Sequence, residues 1–159
     1  MSDLLPANEG NLAPELAALY EREHLPMLRL ASLLVGSRSI AEEIVHDAFV
    51  VVAQRWGEID RPGGYLRSTV VNNCRMANRR AGIEQRVARP DPTTVEASTE
   101  LIELRWALAR LSERGRAAIV LRYFADLPDS DIAELLGCRV ATVRSIVHRS
   151  LKVLRKELS

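Results

Sequence analysis

Cations and small polar side chains recur on one face of a helical segment between residues 139 and 149. Such side chains donate hydrogen bonds to phosphates and to base edges, and a helix that carries them fits the major groove of duplex DNA. Residues 139–159 contain six Lys or Arg and one Glu, whereas residues 90–138 contain five Arg and nine Asp or Glu. The outward positions are Arg139, Val140, Ala141, Arg144, Ser145, His148 and Arg149. This pattern predicts a DNA-reading helix.

The segment that contains this helix, residues 129–148 (DSDIAELLGCRVATVRSIVH), has the spacing of a helix-turn-helix. Ala133 is small where the second helix crosses the first, and Gly137 can take the left-handed conformation that ends the first helix. An ordinary helical hairpin with a solvated basic face is the alternative. The positions expected to face the core are Ile132, Leu136, Cys138, Val143 and Ile146.

A second basic cluster lies in the first half of the chain. Residues 67–89 contain six Arg and one Glu, whereas residues 1–66 contain ten Asp or Glu and five Arg. Helical spacing predicts that Leu66, Val70 and Cys74 point inward and that a row of arginines points outward, namely Arg67, Arg75, Arg79 and Arg80. The chain therefore contains two basic clusters although its net charge is only +1. Two clusters of this kind indicate two contacts with a polyanion.

The elements that must position these residues are helices. Helical periodicity recurs over residues 15–80 and 99–158, whereas alternating strand patterns and hairpin turns are nearly absent. Periodicity stops between residues 81 and 98, where Pro90 and Pro92 bracket an Asp. The sequence thus predicts an all-α fold with two small helical domains, residues 12–81 and 100–159, joined by a flexible linker at residues 82–99.

Local signals predict where individual helices begin and end. Pro26 should kink or interrupt the first helix, and Ser39 with Glu42 should form a capping box for the second. A turn at residues 60–64 should precede a third helix that starts around Tyr65.

In the second domain, Ser112 is expected to cap one helix and Pro128 to fit the first turn of the next. Tyr123 and Phe124 are expected to join the core with Ala118, Ile119 and Leu121.

Composition and cysteine spacing limit the class of protein. The chain has 159 residues, of which 47% are hydrophobic and 27% charged, a normal globular balance. Cys74 and Cys138 lie far apart without a CxxC pair, so we expect two reduced thiols. Apolar runs are too short to span a bilayer and no signal peptide is recognisable, which favours a cytoplasmic protein.

The residues resemble those of bacterial RNA polymerase sigma factors of the extracytoplasmic-function (ECF) group, over residues 15–80 and 100–157. In the first half, AEEIVHDAF at residues 41–49 and the stretch from Tyr65 through Asn72 to Arg80 resemble the family's second conserved region. In the second half, LRYF at residues 121–124 and IAELLGCRVATVRSIVHR at residues 132–149 resemble its fourth region. The resemblance implies a function in promoter recognition and transcription initiation, without catalysis and without a metal or cofactor.

The resemblance also implies three sets of contacts. The second helix would dock on the clamp helices of the largest subunit of core RNA polymerase through Glu42, Glu43, His46, Asp47, Phe49 and Val50. The turn and helix that follow would engage the promoter minus-10 element through Arg61, Gly64, Tyr65, Arg67, Asn72, Arg75, Arg79 and Arg80. The C-terminal helix would read the minus-35 duplex through Arg139, Thr142, Arg144, Ser145, His148 and Arg149, with Arg116 and Arg122 near the DNA backbone.

Three residues depart from the family pattern. Met76 replaces a usual Asp, Ala141 replaces a usual Gly, and Ile146 stands where Arg is common, so the promoter sequence does not follow by analogy. Ile146 lies at a position that a helix-turn-helix buries, which favours a structural role for it. An anti-sigma factor is a partner that the family commonly has.

Two other functions fit parts of the sequence. Two Glu-x-x-His repeats, at residues 21–24 and 43–46, are spaced as in di-iron helical bundles, but further inward carboxylates would be needed. A stand-alone helix-turn-helix regulator would keep the recognition helix and leave the first basic cluster unexplained.

Overall fold

The structure, a computed structural model, describes residues 9–84 and 98–158, with side chains described for residues 14–81 and 98–158. The described residues form helices and no strand, which confirms the all-α prediction. The first three α-helices are α1 (Glu9–Val35), α2 (Arg38–Gln54) and α3 (Pro62–Glu84), with a short 3-10 helix at Trp56–Glu58. The other four are α4 (Thr99–Ala109), α5 (Glu113–Tyr123), α6 (Asp129–Leu136) and α7 (Val140–Leu158).

Helices α1, α2 and α3 pack on one another and form the first domain. Of the two outcomes expected at Pro26, a kink or an interruption, the interruption is wrong, since α1 continues through Pro26 to Val35. Pro26 is exposed, so water can satisfy the carbonyl that loses its amide partner. The most deeply buried side chains of this domain are Leu34, Val45, Val52, Leu66, Val70, Val71 and Cys74.

Two helix starts in the first domain differ from the sequence predictions. The cap of α2 is Ser37 rather than Ser39: the Ser37 Oγ accepts from the amide of Ile40 at 3.3 Å. Both serines suit a cap, and the left-handed Gly36, at φ 71°, ends α1 just before the first of them. α3 begins at Pro62 rather than near Tyr65, because proline has the φ of a first helical turn and lacks only an amide that needs no partner there.

Helices α4 to α7 form the second domain, and its local signals agree better with the structure. The Oγ of Ser112 accepts from the amide of Gly115 at 3.0 Å and caps α5, as predicted. Gly137 has φ 66° and ends α6 in the left-handed conformation, which confirms the predicted turn of the helix-turn-helix. Pro128 is the cap of α6, one residue before the helix.

Two aromatic residues of the second domain are not in its core. Tyr123 and Phe124, at the end of α5, are 53% and 47% exposed, so the prediction that they join the core is wrong. They follow Leu121, the last buried residue of α5. The core consists mainly of Leu108, Val120, Leu121, Ile132 and Val143.

The two domains contact each other. α5 packs against both α1 and α3, and α6 also contacts α3. The predicted linker is largely outside the described residues, although α3 continues to Glu84 and α4 begins at Thr99. None of the helices in the described ranges is long and apolar enough to cross a membrane.

Candidate nucleic-acid interface

Helix α7 is buried on one face and cationic on the other. Val143, Ile146 and Val147 are buried, and Ile146 is only 6% exposed, which confirms its structural role. The opposite face exposes predicted DNA-contacting residues, namely Arg144, Ser145, His148 and Arg149, whereas Thr142 is half-buried. Arg139, directly before the helix, is also exposed. This geometry is that of a recognition helix, because the exposed face can enter a groove while the other face holds the domain together.

A carboxylate that sequence reasoning missed links the recognition helix to the end of α5. Asp129 is the first residue of α6, and its Oδ1 accepts from Arg122 Nη1 at 2.8 Å. Its Oδ2 accepts from Arg144 Nε at 3.4 Å. Two predicted DNA-contacting arginines from different helices therefore share one carboxylate. An acidic residue in a first helical turn is common, so the sequence carried no signal for this contact.

Helix α3 exposes part of the first basic cluster. Arg79, Arg80 and Asn72 are exposed, and Arg67 is half-buried. Arg61, in the turn before α3, is exposed, and so is Gly64 in the first turn of the helix. These residues lie along one helix and the turn that precedes it, an arrangement that can follow a single-stranded backbone.

Tyr65, in the first turn of α3, is held by a residue from the end of α2. The Nη1 of Arg55 donates to the Tyr65 hydroxyl at 2.6 Å, and the Arg55 guanidinium lies 5.5 Å from the centre of the Tyr65 ring. The Glu58 carboxylate, at 3.1 Å from Arg55 Nε, raises the pKa of the Arg55 guanidinium. The half-buried Tyr65 ring is thereby fixed beside a cation at the entrance to α3.

The prediction that Arg75 faces outward is wrong. Arg75 is 6% exposed, and its Nε and Nη2 donate to the two carboxylate oxygens of Glu113 on α5, at 2.6 and 3.4 Å. Its Nη1 donates to the carbonyl of Leu135 on α6 at 3.2 Å. The side chain does point away from the first domain, but the second domain covers it. Arg79, whose Nε lies 3.9 Å from Glu113, remains exposed.

Arg116 is the second predicted DNA-contacting residue that lies between the domains. Its Nη1 donates to the carbonyl of Leu34 at 2.9 Å, and its Nε donates to the carbonyl of Leu108 at 3.1 Å. Burial lowers the pKa of the Arg116 guanidinium, and the negative charge of Glu113 partly opposes that shift. The Leu34 carbonyl also accepts from Asn78 Nδ2 at 2.8 Å, so this one backbone oxygen accepts from a side chain of each domain. With the domains packed in this way, the Arg116 guanidinium is bound by a backbone carbonyl of each domain.

The predicted polymerase-binding residues on α2 divide into exposed and buried sets. Glu42, Glu43, His46 and Asp47 are exposed along the helix. Phe49 is 7% exposed, and its ring lies 5.0 Å from that of Tyr20. It therefore packs on the buried side of α2 and does not lie on the exposed surface of the helix. Val50 is half-buried at the edge.

The two Glu-x-x-His segments do not converge on one point. The ring of His24 stacks on that of Tyr20 with centroids 4.5 Å apart, whereas His46 is exposed on α2. Among the residues that the structure describes, no group of three or more His, Cys, Asp or Glu could hold a metal ion.

A recognition helix with one cationic face, in a helix-turn-helix behind a second basic helical domain, defines a DNA-binding protein of the helix-turn-helix class. Residues 101–154 match the family Sigma-70, region 4. The chain is 31% identical over 143 residues to the RNA polymerase sigma-E factor of Streptomyces avermitilis, covering 83% of this chain and 78% of that protein. It is 29% identical over 154 residues to the ECF RNA polymerase sigma factor SigL of Mycobacterium tuberculosis, covering 89% and 87% of the two chains.

A solved structure shows the same fold. The sigma factor RpoE of Bartonella quintana, crystallised in complex with the anti-sigma factor NepR, superposes with a TM-score of 0.71 at 22% identity, covering 87% of this chain and 94% of that chain. The chain belongs to the ECF group of RNA polymerase sigma factors. As a sigma factor it binds core RNA polymerase and directs promoter recognition and transcription initiation.

Proposed function

We propose that α7 reads the promoter minus-35 element in the major groove through Arg144, Ser145, His148 and Arg149. The observation that carries this proposal is the division of α7 into a buried apolar face and an exposed cationic face. Exposed arginines can donate two hydrogen bonds to a guanine edge or pair with phosphates. The flanking contacts of the same surface are Arg139, Thr142 and Arg122.

The minus-10 element is proposed to bind along α3 and the turn before it. Asn72, Arg79 and Arg80 are exposed there and can hold the backbone of a melted strand, while Tyr65 offers a ring beside a cation on which a base can stack. Arg61, Gly64 and Arg67 extend the same surface. Arg75 and, on the second domain, Arg116 become available to DNA when the two domains separate, because each is enclosed between them here.

The acidic face of α2 is proposed to dock on the clamp helices of the polymerase largest subunit. Glu42, Glu43, His46 and Asp47 are exposed on this helix, and the buried Phe49 keeps the helix in place. Long, exposed charged residues at a protein interface mainly set orientation and association rate. Val50 lies at the apolar edge of this face.

Binding, rather than catalysis, is the proposed mode of action, and its proposed location is the cytoplasm, where core polymerase meets promoter DNA. We also propose that an anti-sigma factor can hold the chain inactive, as NepR is complexed with RpoE in the Bartonella structure. A cleft of about 680 Å³ between α1 and α4–α5 exposes apolar side chains that such a partner would cover, among them Leu25 and Phe124.

Run-off transcription tests the proposal directly. Purified core RNA polymerase is supplied with a pool of upstream DNA fragments, with and without this chain. Discrete start sites that depend on the chain are expected, and their upstream sequences give both promoter elements. Retained DNA binding with no chain-dependent start site would instead identify a stand-alone regulator.

The polymerase contact is tested separately by reversing one charge on α2. Asp47→Lys should abolish association with core polymerase, because the reversed charge replaces attraction with repulsion at the interface. It should not unfold the chain, because the side chain is exposed. Glu21→Lys, a charge reversal at another exposed position, on α1, is the matched control. Normal co-purification of the Asp47→Lys variant with core polymerase would refute the assignment of this face.

A further inference from the structure

We propose that Asp129 is a positioning residue for promoter recognition: it orients Arg144 and Arg122 on the minus-35 surface and so increases sequence selectivity rather than affinity. The inference rests on the proposed reading of DNA by α7 and adds a residue to it. Asp129 itself touches no base in this scheme. It acts through the two arginines that it holds.

The geometry places Asp129 at the junction of three helices. It begins α6, and its carboxylate reaches Arg122 in the last turn of α5 and Arg144 in α7. The side chain of Asp129 is only 19% exposed, whereas that of Arg144 is 71% exposed. The carboxylate is therefore mostly enclosed beneath the arginines while Arg144 extends from it into solvent.

The way in which Arg144 is held leaves its DNA-binding atoms free. The contact with Asp129 uses Nε, at 3.4 Å, so this hydrogen bond leaves both terminal amino groups of the guanidinium for other acceptors. A tethered guanidinium loses less conformational entropy when it forms a bidentate contact with a base than a freely rotating one does. Arg122, held by Nη1 at 2.8 Å, is fixed in the same way at the edge of the surface.

The charge of Asp129 has the opposite effect on affinity. A carboxylate beside two arginines reduces the positive potential that attracts the phosphate backbone, and this attraction supplies most non-specific binding. The dipole of α6 stabilises an acidic residue in its first turn, so the carboxylate is compatible with the fold. Asp129 thus lowers binding to every sequence while it favours the sequences that Arg144 can read.

Two isosteric variants separate these effects. Asp129→Asn removes the charge and replaces one carboxylate oxygen with an amide NH2 group, which only donates, so one of the two arginines loses the oxygen that it contacts here. Asp131→Asn removes the same charge from an exposed position in the same first turn and is the matched control. Both are measured as full chains bound to core RNA polymerase. The probes are the upstream duplex of a start site identified with the wild-type chain and a scrambled duplex of the same length and composition.

The ratio of the two dissociation constants, measured across salt concentrations, is the readout. Asp129→Asn is expected to lower the preference for the promoter duplex at least about fivefold, the lower end of what one ordered base contact contributes. Asp131→Asn is expected to strengthen binding to both duplexes and to change their ratio by less than about twofold, because it removes charge without releasing an arginine.

Three results would overturn the inference. Equal ratios for the two variants would show that charge alone matters. A ratio that is unchanged in Asp129→Asn, together with a lower free energy of unfolding, would show that Asp129 only holds the helices together. A wild-type chain with no preference between the duplexes would overturn both this inference and the proposed minus-35 reading. If the wild-type chain does prefer the promoter duplex, a negative result for the variants overturns only the inference about Asp129.

Discussion

Replacing Glu113 with Ala should destabilise the packed arrangement of the two domains, because it leaves the guanidinium of Arg75 buried without its counter-charge. Arg75 would lose the contacts at 2.6 and 3.4 Å and keep only the Leu135 carbonyl at 3.2 Å. Breaking a buried ion pair costs about 3–5 kcal/mol, and the 20% exposure of the Glu113 side chain places the cost at the lower end, about 3 kcal/mol. Loss of an acidic side chain from the first turn of α5 adds about 0.5 kcal/mol.

Urea unfolding followed by far-ultraviolet circular dichroism measures this loss. Glu103→Ala, at an exposed position on α4, is the matched control and should change the free energy of unfolding by less than about 0.5 kcal/mol. The variant can also avoid burying an unpaired Arg75 by separating its two domains, which returns Arg75 to water. Small-angle X-ray scattering detects this separation as an increased radius of gyration.

A double variant tests the reason for the effect. Arg75→Met combined with Glu113→Ala removes both charges, so it should recover most of the loss and give a coupling energy of about 2 kcal/mol or more. Additive losses in the double variant would refute the reasoning. So would a Glu113→Ala chain with an unchanged free energy of unfolding and an unchanged radius of gyration.

Three further predictions test the site and the packing around it. Arg144→Ala should weaken promoter binding by about 1–3 kcal/mol and lower the salt slope by about one, and an unchanged dissociation constant in a salt titration would contradict the role of Arg144. Burial raises the pKa of the Cys74 thiol to about 12, so at neutral pH Cys74 should react with a thiol reagent far more slowly than the half-buried Cys138; equal rates would show that Cys74 is accessible. Gly115→Ala would place a Cβ 2.6 Å from the Oγ of Ser150 and should destabilise the second domain by about 1–3 kcal/mol in thermal denaturation. Adding Ser150→Ala should recover part of that loss, and no recovery would exclude this clash as the cause.

Features that depend on a few neighbouring residues could be predicted from the sequence. The left-handed Gly137, the Ser112 cap and the burial of Ile146 follow from local spacing, and all three are found in the structure. The cap of α2 shows the limit of such signals. Ser37 and Ser39 both suit a cap, and the preceding Gly36 turn decides between them.

Features that depend on packing between distant segments could not be predicted. Helical periodicity correctly points Arg75 away from the first domain, but it carries no information about α5, which covers that side chain. Arg116 is enclosed for the same reason, by the end of α1. The contact of Asp129 with Arg122 and Arg144 joins three helices, and a residue spacing within one helix cannot indicate it.

The enclosure of Arg75 makes domain packing compete with the DNA contact that is proposed for this residue. All three guanidinium nitrogens of Arg75 are bound within the packed domains, so Arg75 can contact a DNA strand only after the domains separate. For a DNA contact that requires Arg75, the apparent dissociation constant is therefore the intrinsic value divided by the fraction of molecules with separated domains. Packing worth about 2 kcal/mol would leave about 3% of molecules separated and weaken the apparent affinity about thirtyfold. A partner that holds the domains apart would then increase affinity for the promoter without contacting DNA.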